Sequence, residues 1–277
     1  MKKLFVILLS VMLMCSCTLL SKKHQIIISP EQVSNAIITD DNYLLNKYLS
    51  DGFPIDYDSD GETLLRLVLE NNSLKCLTTL LDRDVDIETR DSYGRTPIFY
   101  VRSIDALKLL INDGANIDSY DKGGENLLTY FIKNKPVSYS QLLIDNKVAL
   151  NDWNTLFWAV ISGNSELIRS MAKAGADFSL KDKEGNYPVY YAYNKNNIMT
   201  LLDVAKYNID ARNIKNENVL GEVYLRAVAD GYKDVVEKII SLGINPEYMS
   251  YGDNAISIAE INNDMSMLEY LKNKGIK

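Results

Sequence analysis

The chain has 277 residues, of which 47% are hydrophobic and 24% are charged, which is the composition of an ordinary folded protein. Its formal net charge is −7 and it contains no basic stripe, which argues against nucleic acid as a partner because that binding depends on neutralising phosphates. Of the three cysteines, only Cys76 lies outside the N-terminal segment considered next, so the remaining chain lacks the residues for an internal disulfide or a zinc cluster.

The first predicted element is an export signal at the N-terminus. Lys2 and Lys3 precede an apolar run over residues 4–14, which only Ser10 interrupts. The run is shorter than the about 20 residues that a membrane-spanning helix needs, and it fits the apolar region of a signal peptide. We therefore predict a signal peptide over residues 1–16.

Residues 14–17, which read Met-Cys-Ser-Cys, resemble a bacterial lipobox. The resemblance implies cleavage before Cys17, several acyl chains on this cysteine, and a lipidated linker over residues 17–29. The mature chain is then expected in the cell envelope, on the periplasmic or outer-surface face, with the membrane as a partner only through the lipid. Plain secretion without a lipid is the alternative.

Residues 56–61, which read Asp-Tyr-Asp-Ser-Asp-Gly, have the spacing that opens a calcium-binding loop. Such a loop also needs a carboxylate at its twelfth position, and that position holds Leu67. A turn at Gly61 followed by a helix cap at Thr63 explains the same residues. We therefore predict no metal site, and nothing in the sequence indicates a cofactor.

From residue 30 onwards the sequence repeats itself. Residues 91–98 read Asp-Ser-Tyr-Gly-Arg-Thr-Pro-Ile, residues 113–118 read Asp-Gly-Ala-Asn-Ile-Asp, and residues 182–189 are a second copy of the opening segment. One position of the repeat recurs with a mean spacing of about 32 residues, at Thr63, Thr96, Asn126, Asn154, Tyr187, Glu222 and Asn254. The motif is similar to the ankyrin repeat. The resemblance implies an all-α fold, an ankyrin-repeat solenoid of stacked helix-turn-helix units with short hairpin fingers, with about eight units over residues 30–277 and the first and last units as caps.

The repeat pattern predicts local structure as well. A Thr or Asn at the recurring position can cap the first helix of a unit, and Pro97 and Pro188 suit its first turn. A glycine follows most second helices, where a left-handed residue ends the helix. Asp84, Lys147 and Lys206 replace that glycine and predict strained loops. The segment over residues 150–154 predicts a truncated finger, and residues 214–221 predict a long one.

Other residues complete these expectations. Cys76 lies in an apolar helical pattern and is expected to be a buried thiol. The only histidine is His24, so the histidine that usually ties neighbouring ankyrin loops together is missing. The last unit offers a polar outer side through Lys272, Asn273, Lys274 and Lys277.

Four consecutive units carry an aromatic residue at one helical position, namely Tyr100, Tyr130, Trp158 and Tyr191. Rings at a fixed position of a repeat can pack between neighbouring units, or they can form an exposed platform for a partner. The sequence leaves both interpretations open.

The resemblance implies binding of another protein along the fingers and the inner face of the first helices. The matching finger positions are Tyr93, Arg95, Tyr120, Lys122, Glu125, Lys183, Glu184 and Asn186, and Arg102 and Tyr193 would line the inner helical face. No catalytic constellation is visible, so the chain is not expected to be an enzyme. We expect a monomeric, envelope-anchored scaffold whose partner is a protein of unknown identity. The alternative is a periplasmic immunity protein that neutralises a secreted toxin.

Overall fold

Eight consecutive helix pairs make up the part of the chain that can be described. The computed structural model describes residues 28–59, 62–204 and 214–277, with side chains in the last range from residue 220 onwards. The predicted signal peptide, Cys17, most of the linker, Asp60, Gly61 and Lys206 lie outside the described residues. Of the helices described, none is long and apolar enough to cross a lipid bilayer.

Each pair consists of a first helix, a short turn and a second helix, and the segment that leads to the next pair is called a finger here. In the third and sixth pairs the first helix is a 3-10 helix of one turn, at Pro97–Tyr100 and Pro188–Tyr191. The α-helices are α1 (Pro30–Ile38), α2 (Asn42–Ser50), α3 (Leu64–Asn71), α4 (Leu74–Leu81), α5 (Ile104–Asn112), α6 (Leu127–Asn134), α7 (Val137–Asp145), α8 (Trp153–Ile161), α9 (Ser165–Lys173), α10 (Lys195–Val204), α11 (Ile214–Ala229), α12 (Lys233–Ser241), α13 (Ala255–Ile261) and α14 (Met265–Asn273).

Strand structure is confined to the fingers among the described residues. Strand β1 (Asp58–Ser59) pairs with the antiparallel strand β2 (Glu62–Thr63). Single antiparallel bridges, Tyr120 with Asn126 and Ser250 with Asp253, close two later fingers.

The chain divides into two compact units. Unit 1 comprises Met1–Thr89 and Tyr100–Asp113, and unit 2 comprises Arg90–Phe99 and Gly114–Lys277. In unit 1 the first helices α1 and α3 pack on each other, and so do the second helices α2 and α4. Their shared core contains Ile37, Leu45 and Val68, none of which is exposed to solvent.

Unit 2 repeats this arrangement over more helices. The first helices α6 and α8 pack on each other, and α11 packs on α13. Among the second helices, α9 packs on α10 and α10 packs on α12. On α6 and α8, Leu127, Phe131 and Leu156 are fully buried. A single helix pair could not cover such an apolar face, so the neighbouring pairs provide the interior.

Three of the predicted helix caps are confirmed. The side chains of Thr63, Asn126 and Asn254 each accept a hydrogen bond from the third backbone amide of the helix that follows. These bonds satisfy backbone groups that the helix itself leaves unpaired.

The predicted cap at Asn154 is wrong. Helix α8 begins at Trp153, and the Asp152 carboxylate caps it by accepting the Thr155 amide at 3.0 Å. Because the finger before this helix is short and has no turn glycine, the helix starts earlier, and a carboxylate at its N-terminus interacts well with the helix dipole.

The first helices of the third and sixth pairs are shorter than the repeat predicts. Thr96 and Tyr187 precede 3-10 helices of one turn, and Tyr187 makes no capping hydrogen bond. Pro97 and Pro188 take the first helical positions as predicted. The chain between Thr96 and Ser103, which caps α5, is too short for two α-helical turns and a connection.

The long finger predicted over residues 214–221 is also wrong, because these residues begin helix α11 and Glu222 lies inside that helix instead of capping it. Gly221 is the only glycine of this segment, and a Cβ atom there would come within 2.5 Å of ring atoms of Tyr248. Gly221 therefore permits a close approach and does not form a turn.

Predictions about two loops, about one cysteine and about the surface of the last pair are confirmed. Asp84 and Lys147 have positive φ angles of 54° and 65° where other pairs have glycine, a conformation that strains residues with a Cβ atom. Cys76 is fully buried, and burial, followed by the nearby Asp40 carboxylate, raises the pKa of its thiol to about 12. The polar side chains of the last pair, residues 272–274 and Lys277, are exposed.

Candidate protein-binding surface

Three fingers of unit 2 share one hairpin geometry. In the first, the Asp91 amide donates to the Arg95 carbonyl oxygen at 3.1 Å and the Gly94 amide donates to the Asp91 carbonyl oxygen at 2.9 Å. The fingers that begin at Asp121 and Asp182 close with the same two bonds at 3.0–3.1 Å. In each finger the aspartate carboxylate also accepts backbone amides of the same turn, so the aspartate shapes the finger from within.

The first two of these fingers are joined to each other. The Lys122 amide donates to the Tyr93 carbonyl oxygen at 2.8 Å. The Arg90 guanidinium donates to the carbonyl oxygens of Gly94 at 2.6 Å and of Tyr120 at 2.7 Å. These bonds fix the backbone of both fingers and leave two large rings in solvent, since Tyr93 is 63% exposed and Tyr120 is 43% exposed.

The remaining predicted finger residues fall into two groups. Lys122, Lys183 and Glu184 are exposed, as expected. The expected exposure is wrong for Arg95, Glu125 and Asn186, which are only partly exposed because each makes side-chain contacts within unit 2. All three immediately precede the recurring position of the repeat, where the finger turns back into the next pair.

Contacts with charged and aromatic side chains hold Arg95 and Glu125 in place. The Arg95 guanidinium lies 3.3 Å from the Asp121 carboxylate and 4.8 Å from the centre of the Tyr130 ring. Glu125 is bound in a similar way, because Lys133 donates to its carboxylate at 2.7 Å. Arg95 therefore connects neighbouring pairs, and Glu125 is bound to the helix that follows its own finger.

The aromatic row continues along unit 2 from Tyr130 to Trp158 and Tyr191, all of which are partly exposed. Lys133 lies 4.7 Å from the Trp158 ring. Phe157, which was not predicted from the sequence, connects Trp158 with Tyr191, because its ring centre lies 5.6 Å from that of Trp158 and 5.1 Å from that of Tyr191. The rings of Phe157, Trp158 and Tyr191 therefore pack together, which supports the packing interpretation, and the platform for a partner stays a prediction.

The hydroxyl of Tyr191 is tied to a finger. It donates to the Asp182 carboxylate at 2.5 Å. Burial raises the pKa of Tyr191, and the bond to Asp182 raises it further. Burial alone would also raise the pKa of Asp182, but the hydrogen bonds from Tyr191 and Asn186 outweigh it and keep that pKa below its ordinary value.

The two residues predicted for the inner helical face lie in turns. Tyr193, in unit 2, lies two residues after the end of the second 3-10 helix and is 72% exposed. Arg102, in unit 1, holds the equivalent position after the first 3-10 helix and is also exposed. Tyr100, the first ring of the aromatic row, belongs to unit 1, where the Arg66 guanidinium lies 4.3 Å from its ring centre.

Arg226, which was not predicted from the sequence, occupies the position of the seventh pair that holds an aromatic residue in the four preceding pairs. Its guanidinium donates to the Tyr190 carbonyl oxygen at 2.9 Å, at the end of the second 3-10 helix. Burial lowers the pKa of this guanidinium. An alignment of the seventh pair with the others would have revealed Arg226, because it places a cation at a position that holds an aromatic ring elsewhere.

The site has the chemistry of a binding surface. Within the residues that are described, no three metal-ligating side chains come together. What the surface offers is exposed rings, lysine and glutamate side chains and fixed backbone. Rigid aromatic side chains of this kind are favoured at protein–protein interfaces.

Paired helices joined by Asp-x-x-Gly fingers define a repeat protein. Residues 34–121 and 100–182 match the family model described as ankyrin repeats in three copies. These overlapping stretches cover more than half of the sequence, and the chain belongs to the ankyrin-repeat family. Ankyrin repeats bind other proteins, so protein binding is the function at the level of the family.

The comparisons with individual proteins agree with this family. The human B-cell lymphoma 3 protein is 30% identical over 152 residues, which are 50% of this chain and 34% of that protein. The crystal structure of the ankyrin repeat domain of Bcl-3 has a TM-score of 0.56 and 27% identity, and the match covers 61% of this chain and 80% of that one. The chain spans between a quarter and two fifths of the length of the curated relatives that it matches.

A third similarity is to a bacterial structure. One chain in the structure of the predatory endopeptidase Bd0816 from Bdellovibrio bacteriovorus in complex with immunity protein Bd3460 has a TM-score of 0.52 and 24% identity. The match covers 64% of this chain and 99% of that chain. At this level of identity the similarity concerns the fold.

Proposed function

We propose that this chain is a non-enzymatic binding module, held at the cell envelope by a lipid on Cys17, and that it binds a partner protein through the fingers of unit 2 that begin at Asp91, Asp121 and Asp182. The observation that carries the proposal is the pair of exposed tyrosines on joined fingers. Tyr93 and Tyr120 are 63% and 43% exposed, and the hydrogen bonds of Lys122 and Arg90 hold the backbone beneath them.

Rigid backbone under exposed rings is a favourable design for binding. A partner that covers Tyr93 and Tyr120 removes apolar area from water, and each such side chain contributes about 1.5–3 kcal/mol when fully buried. The fingers lose little freedom on binding because their turns are already closed by hydrogen bonds. The partly exposed rings of Trp158 and Tyr191 extend the same kind of surface along unit 2.

The proposal is tested by capture from an envelope extract with lipid-free protein of residues 18–277. Wild type is compared with the double variant Tyr93→Ala, Tyr120→Ala, and with Tyr251→Ala as a matched control, since Tyr251 is a fully exposed tyrosine in the last finger. We expect the double variant to lose a partner that wild type and the control retain. Equal capture by all three proteins would reject the finger surface.

Anchoring is tested separately. Cells that express the full chain are labelled with a fatty-acid probe, and wild type is compared with Cys17→Ala. We expect label on wild type alone and release of the variant from the membrane fraction. No label on wild type would leave plain secretion as the correct interpretation, and label on the variant would mean that another residue carries the lipid.

The second candidate is a periplasmic immunity protein. Its specific support is the fold shared with a chain in the endopeptidase–immunity protein complex, which is a reason to test the idea on this chain. The chain would protect a cell from a secreted toxin made by the same organism. Deleting the gene should sensitise cells to that toxin, and complementation should restore growth. Unchanged sensitivity would reject this candidate and leave the binding module intact.

A further inference from the structure

A polar groove of about 560 Å³ opens between the second helices α2 and α4 of unit 1. Its size is in the range of small-molecule sites. It uses none of the residues assigned to the protein-binding surface, and it is lined by Asn42, Tyr43, Asn46, Thr79, Asp82 and Arg83.

One wall of the groove is a guanidinium that is already fixed in place. Arg83 donates to the Asn46 side-chain oxygen through Nε at 3.1 Å and Nη2 at 2.7 Å, and through Nη2 to the Ser50 hydroxyl at 2.7 Å. These acceptors are neutral, so the charge of Arg83 is oriented without being cancelled by them. An arginine with its rotamer already set loses less entropy when it binds a ligand.

The opposite wall carries an exposed ring. Tyr43 is 78% exposed although it lies on the first turn of a well-formed helix. Its ring supplies a flat apolar face and its hydroxyl supplies a donor and an acceptor. Asn42, beside it, adds an amide with both donors and an acceptor.

The charges of the groove select a neutral ligand. The Asp82 carboxylate disfavours an anion, and the Arg83 guanidinium disfavours a cation. A hydroxyl can donate to the carboxylate and accept from the guanidinium, so a ring with neighbouring hydroxyls satisfies both groups at once. The less polar face of such a ring can stack on Tyr43.

We propose that this groove binds a carbohydrate ring, with Tyr43 as the stacking platform and Asp82 and Arg83 as the hydroxyl partners. Because the groove is open to solvent, a single sugar ring is expected to bind weakly, with a Kd of about 1 mM.

Saturation-transfer NMR suits this range of affinity. The folded protein of residues 18–277 is examined with the methyl α-glycosides of glucose, mannose, galactose and N-acetylglucosamine. We expect saturation transfer to the ring protons of at least one glycoside. Tyr43→Ala and Arg83→Gln should each weaken binding by about tenfold, as expected for the loss of one hydrogen bond to a charged group or one ring contact.

Matched controls separate the groove from general effects. Tyr251→Ala removes another exposed tyrosine, and Arg169→Gln removes another exposed arginine, and neither should change the transfer. Thermal unfolding checks that the variants fold, and Arg83→Lys replaces Arg83→Gln if the latter does not. The absence of transfer from all four glycosides, or transfer that persists in both groove variants, would overturn the proposal. Binding of an extended peptide at Tyr43 without binding of any glycoside would overturn it too.

Discussion

The side-chain oxygens of Thr129 and Thr155 lie 2.8 Å apart in the interior of unit 2, where both residues are fully buried. The Asn126 amide donates to the same Thr155 oxygen at 2.8 Å. This cluster joins α6 to α8 and supplies the connection between neighbouring repeats that the missing histidine usually makes. A buried hydroxyl network of this kind is costly to break because its partners are left without hydrogen bonds.

We therefore expect Thr155→Val to lower the free energy of unfolding by about 1–3 kcal/mol, since Asn126 and Thr129 lose their buried partner. Urea unfolding followed by circular dichroism measures the effect. Thr78→Val is the matched control, because the exposed Thr78 hydroxyl bonds only to the Leu74 carbonyl of its own helix. Equal stability of the two variants would contradict the role of the cluster.

The close approach at Gly221 predicts a second effect on stability. A Cβ atom there would come within 2.5 Å of the Tyr248 ring, so Gly221→Ala should destabilise the protein by about 1–3 kcal/mol. If the clash is the cause, adding Tyr248→Ala should cost less in the Gly221→Ala background than in wild type. A double-mutant cycle of unfolding free energies decides this, and additive effects would show that the clash is not the cause.

The bond between Tyr191 and Asp182 predicts a dependence on pH. The pKa of Asp182 is below its ordinary value of 3.8 in the folded state, so its charged form stabilises the fold above that value. This contribution is lost as pH falls through the lowered pKa.

Tyr191→Phe should accordingly cost about 1 kcal/mol at neutral pH. The difference from wild type should shrink as the pH falls below 3.8, the ordinary pKa of Asp182, and through its lowered pKa in the folded state. Unfolding free energies between pH 3 and 7 test it. Tyr190→Phe serves as the control, because no hydrogen bond from its hydroxyl to another described residue is seen. A difference between wild type and Tyr191→Phe that stays constant over this pH range would refute the bond.

The strained residue at the end of α7 offers a stabilising change. Lys147 has φ +65°, so Lys147→Gly should raise the free energy of unfolding by about 0.5–1 kcal/mol by removing the Cβ strain. Lys108→Gly, at an exposed position in the middle of helix α5, should instead lower it by about 1 kcal/mol. A loss of stability in Lys147→Gly would mean that the left-handed residue is not strained.

Much of the fold follows from local signals in the sequence. The repeat spacing predicted the succession of helix pairs, and Thr63, Asn126 and Asn254 cap helices where the pattern placed them. The predictions failed where segment length or packing decided the outcome. The third and sixth pairs are too short for a full first helix. Residues 214–221, which were predicted to form a long finger, begin a helix in which Gly221 accommodates the Tyr248 ring.

The part of the candidate site that depends on position within one repeat was predictable from the sequence. Exposure of Tyr93 and Tyr120 follows from their places in the fingers, which the motif determines. The ion pair of Arg95 with Asp121 and the ring contacts of Phe157 join residues of different repeats. Such contacts depend on how two pairs pack, and a pattern within one repeat does not contain that information.

Site-specific photo-crosslinking in native cells tests the central claim most directly. A photoreactive phenylalanine is placed at position 93, at position 120, and at the exposed Arg169 of helix α9 as a control. We predict that positions 93 and 120 crosslink to the same protein and that position 169 does not. Crosslinks at position 169 alone, or none at the two finger positions, would contradict the assignment of the fingers as the binding surface.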